Sequence, residues 1–352
     1  MASNGVLQNR LKAIRFEKPD WIPASVSCLP ATWFKYGDAL DELQGEHPRI
    51  FPYHKPGAYR DQELERNYRA GRWTDAWGVV WDNIEEGMSS IPVEDEAPLR
   101  DWAAFDSYEP PDPLSMDDRG APVDWDERKQ ARLRAKEDGG FISGGLIHGF
   151  MFMRLHYLRG FNNLMLDIAA RDPRLDRLIE MVLAHNVALV DKWLECGIDM
   201  LSGGDDMGMQ DTLPISPADW RRYLGPCFES IFGRCRDRGV LVYLHSDGHI
   251  LEIIRDLVKT GVRVINPQIR ANTLPGLVEY AKGSVCICLD LDRQLFPFVT
   301  PGEVKDHIHE ARDTLYSPDG GLILHAECAP DVPLENIKAI CEGLEEVGCG
   351  PR

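Results

Sequence analysis

Hydrophobic residues recur along the chain in short runs, each followed by a longer amphipathic segment. This pattern predicts strands that alternate with helices. Six such units follow residue 139, with predicted strands at 139–147, 198–206, 240–245, 262–268, 285–292 and 320–328. The strands are apolar throughout, as expected for parallel strands buried on both faces. Ser216 and Thr300 are predicted helix starts, because an acid follows each of them three residues later.

Two further strand candidates lie upstream, at 21–27 and 77–81. Eight strand–helix units close a barrel, so we predict an α/β fold of the (β/α)8 TIM-barrel type. An open doubly wound sheet is the alternative, but no predicted strand is followed by that fold's G-x-G-x-x-G turn. Residues 28–138 are irregular and rich in Pro, Trp, Tyr and acids. We interpret them as an N-terminal elaboration that covers the barrel mouth, within a single domain spanning 1–352.

The net negative charge of the chain limits the kinds of macromolecule that it is expected to bind. The chain carries 57 acidic residues against 39 Lys and Arg, a net charge of −18, which argues against non-specific binding to nucleic acid or anionic membrane. No apolar stretch approaches the roughly 20 residues of a membrane helix, and residues 1–5 lack the apolar region of a signal peptide. The odd number of cysteines, nine, argues against a disulfide framework. We therefore expect a cytoplasmic protein, as a monomer or homodimer.

Polar residues cluster at the predicted carboxyl ends of the strands, the edge that carries the chemistry in parallel α/β proteins. Side chains at i and i+2 of an extended chain point to the same side, so His245 and Asp247 should project together. The other strand ends carry Trp81, Asp82, His148, Asp205, Asp206, Asn266, Gln268, Asp290, Asp292, His325, Glu327 and Cys328. The opposite ends carry few such groups, and this asymmetry indicates an enzyme.

Several acids beside a histidine favour a divalent metal, because crowded like charges need a cation or a proton between them. Zinc takes His, Cys and carboxylate ligands, and a catalytic zinc keeps one position open. We predict zinc ligands among His245, Asp247, Glu327 and Cys328. Two alternatives stay open: Asp247 as a turn or N-cap residue before Gly248, and Cys328 as an inert core thiol.

Two further polar residues, Asp206 and His148, are predicted general acids. Predicted substrate-binding residues are Trp81, Phe150, Asp205, Gln210, Asn266, Gln268 and Asp290. The chain contains no G-x-S-x-G elbow and no Walker A loop. Lysine is scarce at the predicted mouth, which argues against a Schiff-base mechanism.

Six stretches resemble the uroporphyrinogen decarboxylase superfamily, and together they run over nearly the whole chain. They are Arg15–Pro23, Gly204–Gln210, His245–Gly248, Ile265–Gln268, Leu289–Gln294 and Asp331–Ile337. The superfamily includes the decarboxylase itself and zinc-dependent methyltransferases that work with corrinoid proteins. The resemblance therefore implies an enzyme of one of these two branches.

The methyltransferase branch is the more similar of the two. The decarboxylase grips a carboxylated tetrapyrrole with arginines of an early segment, whereas Ser27–Trp33 contains none. The methyltransferase zinc site is typically His-x-Cys plus a distant Cys. Here Asp247 stands in place of the first thiolate, and the distant ligand would be Cys328 or Glu327. Fewer thiolates make a harder, more Lewis-acidic site, which suits an ether or amine leaving group.

Together with the predicted metal ligands, the resemblance to the methyltransferase branch implies a zinc-dependent methyltransferase. It would move a methyl group from a small methylated substrate to a corrinoid carried by a partner protein, or to another acceptor. A metal-independent decarboxylase or lyase acting through Asp206 and His245 is the alternative, and bound zinc would decide against it. A non-catalytic barrel that binds a small ligand or a partner is a third hypothesis, which predicts that the acids at the mouth are dispensable.

Overall fold

The computed structural model describes residues 2–137 and 139–348. The strands are β1 (Ala24–Cys28), β2 (Gly71–Thr74), β3 (Val80–Asn83), β4 (Ile91–Pro92), β5 (Ser143–Gly145), β6 (Met200–Gly204), β7 (Leu241–Ser246), β8 (Val264–Pro267), β9 (Cys286–Asp290) and β10 (Leu322–Cys328). The α-helices are α1 (Ala2–Arg15), α2 (Pro30–Tyr36), α3 (Asp38–Glu46), α4 (Trp125–Glu137), α5 (Phe152–Arg159), α6 (Phe161–Ala170), α7 (Pro173–Glu195), α8 (Pro217–Tyr223), α9 (Gly225–Arg236), α10 (Leu251–Thr260), α11 (Ile269–Asn272), α12 (Leu274–Tyr280), α13 (Pro301–Leu315) and α14 (Leu334–Gly348). Short 3₁₀ helices span Ala58–Asp61, Arg66–Tyr68, Glu94–Glu96 and Trp102–Ser107.

The described residues fall into two compact units. Unit 1 contains residues 2–70, 83–90 and 265–348, and unit 2 contains residues 71–82, 91–137 and 139–264. The irregular segment 28–138 is therefore divided between the two units. Its assignment as one elaboration of a single domain stays a prediction.

Unit 1 is built on parallel strands in the order β1-β10-β9-β8. The β1–β10 pairing runs from Ala24 opposite Leu324 to Cys28 opposite Cys328. All five residues of β9 are buried, because the sheet is covered on both faces as parallel sheets are. The predicted start of α13 is confirmed: Thr300 and Glu303 form a reciprocal capping box.

Unit 2 is built on three parallel strands in the order β5-β6-β7. Its core includes Phe150, Phe228 and Phe232, whose ring centroids lie 5.5–5.9 Å apart. The predicted helix start at Ser216 is also confirmed, since its hydroxyl accepts a hydrogen bond from the Asp219 backbone N–H. The parallel pairing of β5, β6 and β7 places the carboxyl ends of these three strands beside one another.

The predicted barrel strand at 77–81 is wrong. Asp75 Oδ1 accepts hydrogen bonds from the backbone N–H groups of Trp77 and Val79, and Gly78 has φ +78°, so the run turns in its middle. Its second half enters β3, which pairs antiparallel with β4 in a separate sheet of order β2-β3-β4. The hydrogen bonds that the Asp75 carboxylate accepts from two backbone N–H groups stabilise this turn, although the apolar residues of 77–81 are typical of a strand.

The fold class is confirmed. Within the ranges that the structure describes, seven parallel strands alternate with helices, as in (β/α) barrels. The same ranges contain no helix whose length and hydropathy would allow it to cross a membrane. Eight of the cysteines are free thiols, and Cys349 lies outside the described residues.

Candidate metal site

Three polar side chains of unit 2 converge where β5, β6 and β7 end. The strand register sets Gly204 opposite His245, and the backbone N–H of Gly149 donates to Gly204 O at 2.7 Å. Asp206 Oδ1 consequently lies 3.3 Å from His148 Nε2 and 3.7 Å from His245 Nε2. One ligand atom from each of the three residues lies within 4.8 Å of the other two.

These distances fit a metal ion. Zinc bonds of about 2.0–2.1 Å in tetrahedral geometry separate the ligand atoms by roughly 3.3 Å. Two imidazoles and one carboxylate are a donor set found at catalytic zinc and at non-haem iron sites. His148, Asp206 and His245 are therefore chemically and geometrically suited to hold a divalent ion.

A fourth polar side chain, Asp247, adjoins this group. Its Oδ1 lies 3.1 Å from His245 Nε2, as the i, i+2 spacing predicts. Its backbone N–H donates to Asp206 Oδ1 at 2.8 Å, which ties the loop after β7 to the loop after β6. Because Asp247 reaches the same nitrogen that faces Asp206, it lies on the side of His245 where an ion would bind.

The surroundings of His148 and Asp205 raise the pKa values of both side chains. Partial desolvation favours neutral His148, whose side chain is 50% exposed, but the hydrogen bond and charge of Asp206 outweigh this, so the pKa of His148 is raised. Burial raises the pKa of Asp205 to about 6, although the backbone N–H groups of Phe152 and Met153 oppose this. Those N–H groups donate to the Asp205 carboxylate at 2.7 and 3.0 Å, so this acid holds the start of α5.

Two glycines allow the loops after β6 and β7 to touch. A Cβ on Gly208 would overlap the backbone of Gly248 and His249, and a Cβ on Gly248 would overlap the backbone of Gly208. Gly248 also has φ +77°, a conformation that costs an L residue roughly 1–2 kcal/mol. This contact sets the separation between Asp206 and Asp247.

The contact between these loops can be tested with the variant Gly248→Ala. We expect it to lower the free energy of unfolding by more than about 2 kcal/mol, because backbone strain and overlap with Gly208 add. Gly239→Ala is the matched control: Gly239 has φ +69° and open space around its Cβ position. Urea unfolding of both variants measures the difference, and equal losses would contradict a role for the loop contact.

Two buried side chains on α5, Arg154 and Tyr157, were not predicted from the sequence. Arg154 on α5 is 1% exposed and donates to Asp75 Oδ2 at 3.0 Å. Its guanidinium also lies over the rings of Trp77 and Tyr157, at 4.9 and 5.6 Å from their centroids. Tyr157 packs against Gly149, next to His148, and burial raises its pKa. The i, i+3 spacing of Arg154 and Tyr157 on a helix beside the strand ends was the available signal.

The other predicted residues of unit 2 lie in different surroundings. Phe150 is 2% exposed and belongs to the core. Trp81 donates from Nε1 to Asp75 Oδ2 at 3.0 Å and meets the Tyr157 ring edge-on. Gln210 is exposed. Their substrate-binding roles, and that of the fully buried Asp205, stay predictions.

The remaining predicted residues lie in unit 1. Asn266 donates to Cys288 O at 2.6 Å, and Gln268 pairs with Asp290 in an isolated bridge. Glu327 Oε1 accepts a hydrogen bond from Arg293 at 2.7 Å. Cys328 is fully buried, and its hydrogen bond with Cys28 raises its pKa well above the ordinary value. The ligand roles of Glu327 and Cys328 stay predictions.

Comparisons with known proteins place the chain in a family. The family model for uroporphyrinogen decarboxylase (URO-D) matches residues 86–347. No curated protein matches the chain. A methyltransferase from Methanosarcina mazei shares its fold, with a TM-score of 0.58 at 17% identity over 96% of this chain and 97% of that one. A B12-independent methionine synthase from a Shewanella species gives a TM-score of 0.40 at 13% identity over 62% of this chain and 64% of that one. The chain belongs to the uroporphyrinogen decarboxylase family.

Proposed function

We propose that the protein is a metal-dependent methyltransferase that moves a methyl group from a small methylated substrate to a corrinoid carried by a partner protein. The observation that carries the proposal is the convergence of His148, Asp206 and His245 within 4.8 Å. A decarboxylase that needs no metal would not require two imidazoles and a carboxylate at the spacing of metal ligands. The fold shared with a methyltransferase agrees with this choice.

The ion is proposed to be zinc, held by His148, Asp206 and His245. This changes the roles of His148 and Asp206 from general acids to ligands, because an imidazole nitrogen that binds metal carries no proton. Bound zinc would act as a Lewis acid on the oxygen or nitrogen atom that loses the methyl group. Three protein ligands leave one position for that atom. This set differs from the ligands predicted from the sequence, in which Glu327 and Cys328 accompanied His245 and Asp247.

Asp247 is proposed to deliver the proton. Its Oδ1 lies 3.1 Å from His245 Nε2, the nitrogen that is proposed to bind the ion. The Asp247 carboxylate is therefore on the ion's side of the imidazole. As the methyl group leaves, the bond to oxygen or nitrogen breaks with both electrons on that atom, which then takes the proton. The cobalt of the reduced corrinoid supplies the electron pair for the new cobalt–carbon bond.

Methyl transfer can be tested directly with reduced cobalamin as the acceptor. We expect zinc-loaded protein, given a panel of methyl ethers and methylamines, to convert cob(I)alamin to methylcobalamin with at least one donor. The conversion is read from the absorption spectrum. Zinc-free protein that releases CO₂ from a carboxylated substrate, without methylating cobalamin, would favour the decarboxylase alternative.

Two isosteric variants separate ligands from the proton donor. Asp206→Asn should lose zinc, whereas Asp247→Asn should keep zinc and transfer methyl groups about 10²–10⁴-fold more slowly. Zinc content by mass spectrometry and initial rates are measured on the same preparations. Loss of zinc from Asp247→Asn would instead make Asp247 a ligand.

A further inference from the structure

Asp205 is a buried acid that follows β6 and directly precedes the proposed ligand Asp206. It is 0% exposed, so its carboxylate offers no surface to a substrate. A carboxylate removed from water is costly unless hydrogen bonds or opposite charges compensate it. Here the backbone N–H groups of Phe152 and Met153 donate to its Oδ2 at 2.7 Å and to its Oδ1 at 3.0 Å. Asp205 therefore joins the end of β6 to the start of α5.

The start of α5 differs from the starts of α7, α8 and α13. Each of those three helices is capped by the side chain of the residue directly before it: Asp172, Ser216 and Thr300. The residue before α5 is Met151, whose thioether is only a weak acceptor. The acceptor comes instead from Asp205, which is 53 and 52 positions away from the two donors. The position of α5 relative to β6 thus depends on a contact between remote segments.

The short segment between His148 and α5 is held at both of its ends. The backbone N–H of Gly149 donates to the carbonyl of the last residue of β6 at 2.7 Å, and the first N–H groups of α5 donate to Asp205. The backbone N–H of Asp205 itself donates to His245 O at 3.0 Å. One residue therefore contacts the segments that carry two proposed ligands and is adjacent in sequence to the third.

We propose that Asp205 is a positioning residue of the metal site. Its carboxylate fixes the segment that carries His148, so that the ligand atoms of His148, Asp206 and His245 lie within 4.8 Å of one another. The inference rests on the proposed function, and it gives Asp205 a role toward the proposed ion in place of a contact with substrate. Replacing residues that orient metal ligands typically lowers metal affinity about 10–100-fold.

The variant Asp205→Asn is expected to lower zinc affinity about 10–100-fold. An amide keeps the size of the carboxylate but has one oxygen in place of two, so one backbone N–H of α5 loses its acceptor. Competition with a chromophoric zinc chelator measures the affinity. The matched control is Asp199→Asn at the amino end of β6, where the carboxylate accepts a hydrogen bond from the Ile142 N–H at 2.9 Å. We expect this control to keep the affinity of the unmodified protein.

A double-variant cycle with His148→Ala separates positioning of a ligand from a general loss of structure. If Asp205 acts through His148, Asp205→Asn should change zinc affinity by less than about twofold once residue 148 is alanine. A general loss of structure would lower the affinity by the same factor in both backgrounds. The four proteins of the cycle are measured with the same chelator.

Hydrogen exchange of the unmodified protein gives a second measurement, which applies even if Asp205→Asn does not fold. Coupling between two equilibria is reciprocal, so zinc should slow exchange of the Phe152 and Met153 amides about tenfold or more. The Ile142 amide, which donates to Asp199, should exchange at the same rate with and without zinc.

Zinc binding by the unmodified protein is measured first. No binding there would contradict the proposed metal site, and the role of Asp205 with it. Four results would contradict the role of Asp205 alone: unchanged affinity in Asp205→Asn, an equal loss in Asp199→Asn, an equal loss in the His148→Ala background, or exchange at 152–153 that zinc does not slow.

Discussion

Replacing His245 with alanine is expected to lower zinc affinity by more than about a hundredfold. Removing a residue that only orients a ligand typically costs 10–100-fold, and His245 is proposed to bind the ion itself. Its Nε2 lies 3.7 Å from Asp206 Oδ1 and 3.1 Å from Asp247 Oδ1. The variant therefore removes the imidazole that both carboxylates contact. Competition with a chromophoric zinc chelator measures the affinity.

The control for this variant is His309→Ala. His309 lies on α13 beside Glu346 Oε2 at 3.4 Å, so it tests whether loss of any histidine paired with an acid reduces zinc binding. We expect His309→Ala to keep the affinity of the unmodified protein. A His245→Ala protein that retains one zinc per chain at unchanged affinity would rule out the proposed site.

The variant Arg154→Met is expected to lower the free energy of unfolding by about 3 kcal/mol. Removing one partner of a buried ion pair leaves the other charge without compensation, at a typical cost of 3–5 kcal/mol. The Arg154 and Asp75 side chains are 1% and 4% exposed. Backbone N–H groups and Trp81 Nε1 also donate to Asp75, which favours the lower end of the range. Urea unfolding measures the change.

Two control variants test whether the loss of stability comes from the burial of the ion pair or from the loss of any ion pair. Arg174→Met removes an exposed partner of Asp172, and such surface pairs contribute about 0–1 kcal/mol. The double variant Arg154→Met/Asp75→Asn removes both buried charges and should recover part of the loss. A loss below about 1 kcal/mol in Arg154→Met would mean that water or another group compensates Asp75.

The strand positions after residue 139 were predictable because they depend on local pattern. The apolar run 240–245 and the His245–Asp247 pair after it correspond to β7 and its end, and the short contact between the two side chains follows from the extended backbone. The starts of α8 and α13 were predictable from the acid three residues after Ser216 and Thr300. In each case the interacting groups are within a few residues of one another.

The partners of His245 were not predictable in the same way. The polar strand ends predicted Glu327 and Cys328 as ligands beside His245, whereas the geometry of unit 2 brings His148 and Asp206 to His245. Nothing in the spacing of His148, Asp206 and His245 along the chain encodes this. Their distances depend on the register of neighbouring strands and on the loops that leave them.

The sequence by itself therefore determined the alternation of strands and helices after residue 139, the helix starts at Ser216 and Thr300 and the polar character of the strand ends. Only the tertiary structure decided which polar residues meet, since the close approach of Gly208 to Gly248 holds Asp206 beside Asp247. It also decided that the run 77–81 turns at Gly78, where the Asp75 carboxylate binds two backbone N–H groups. Local patterns act over a few residues, whereas a site depends on distances between segments that are remote in sequence and become neighbours only when the chain folds.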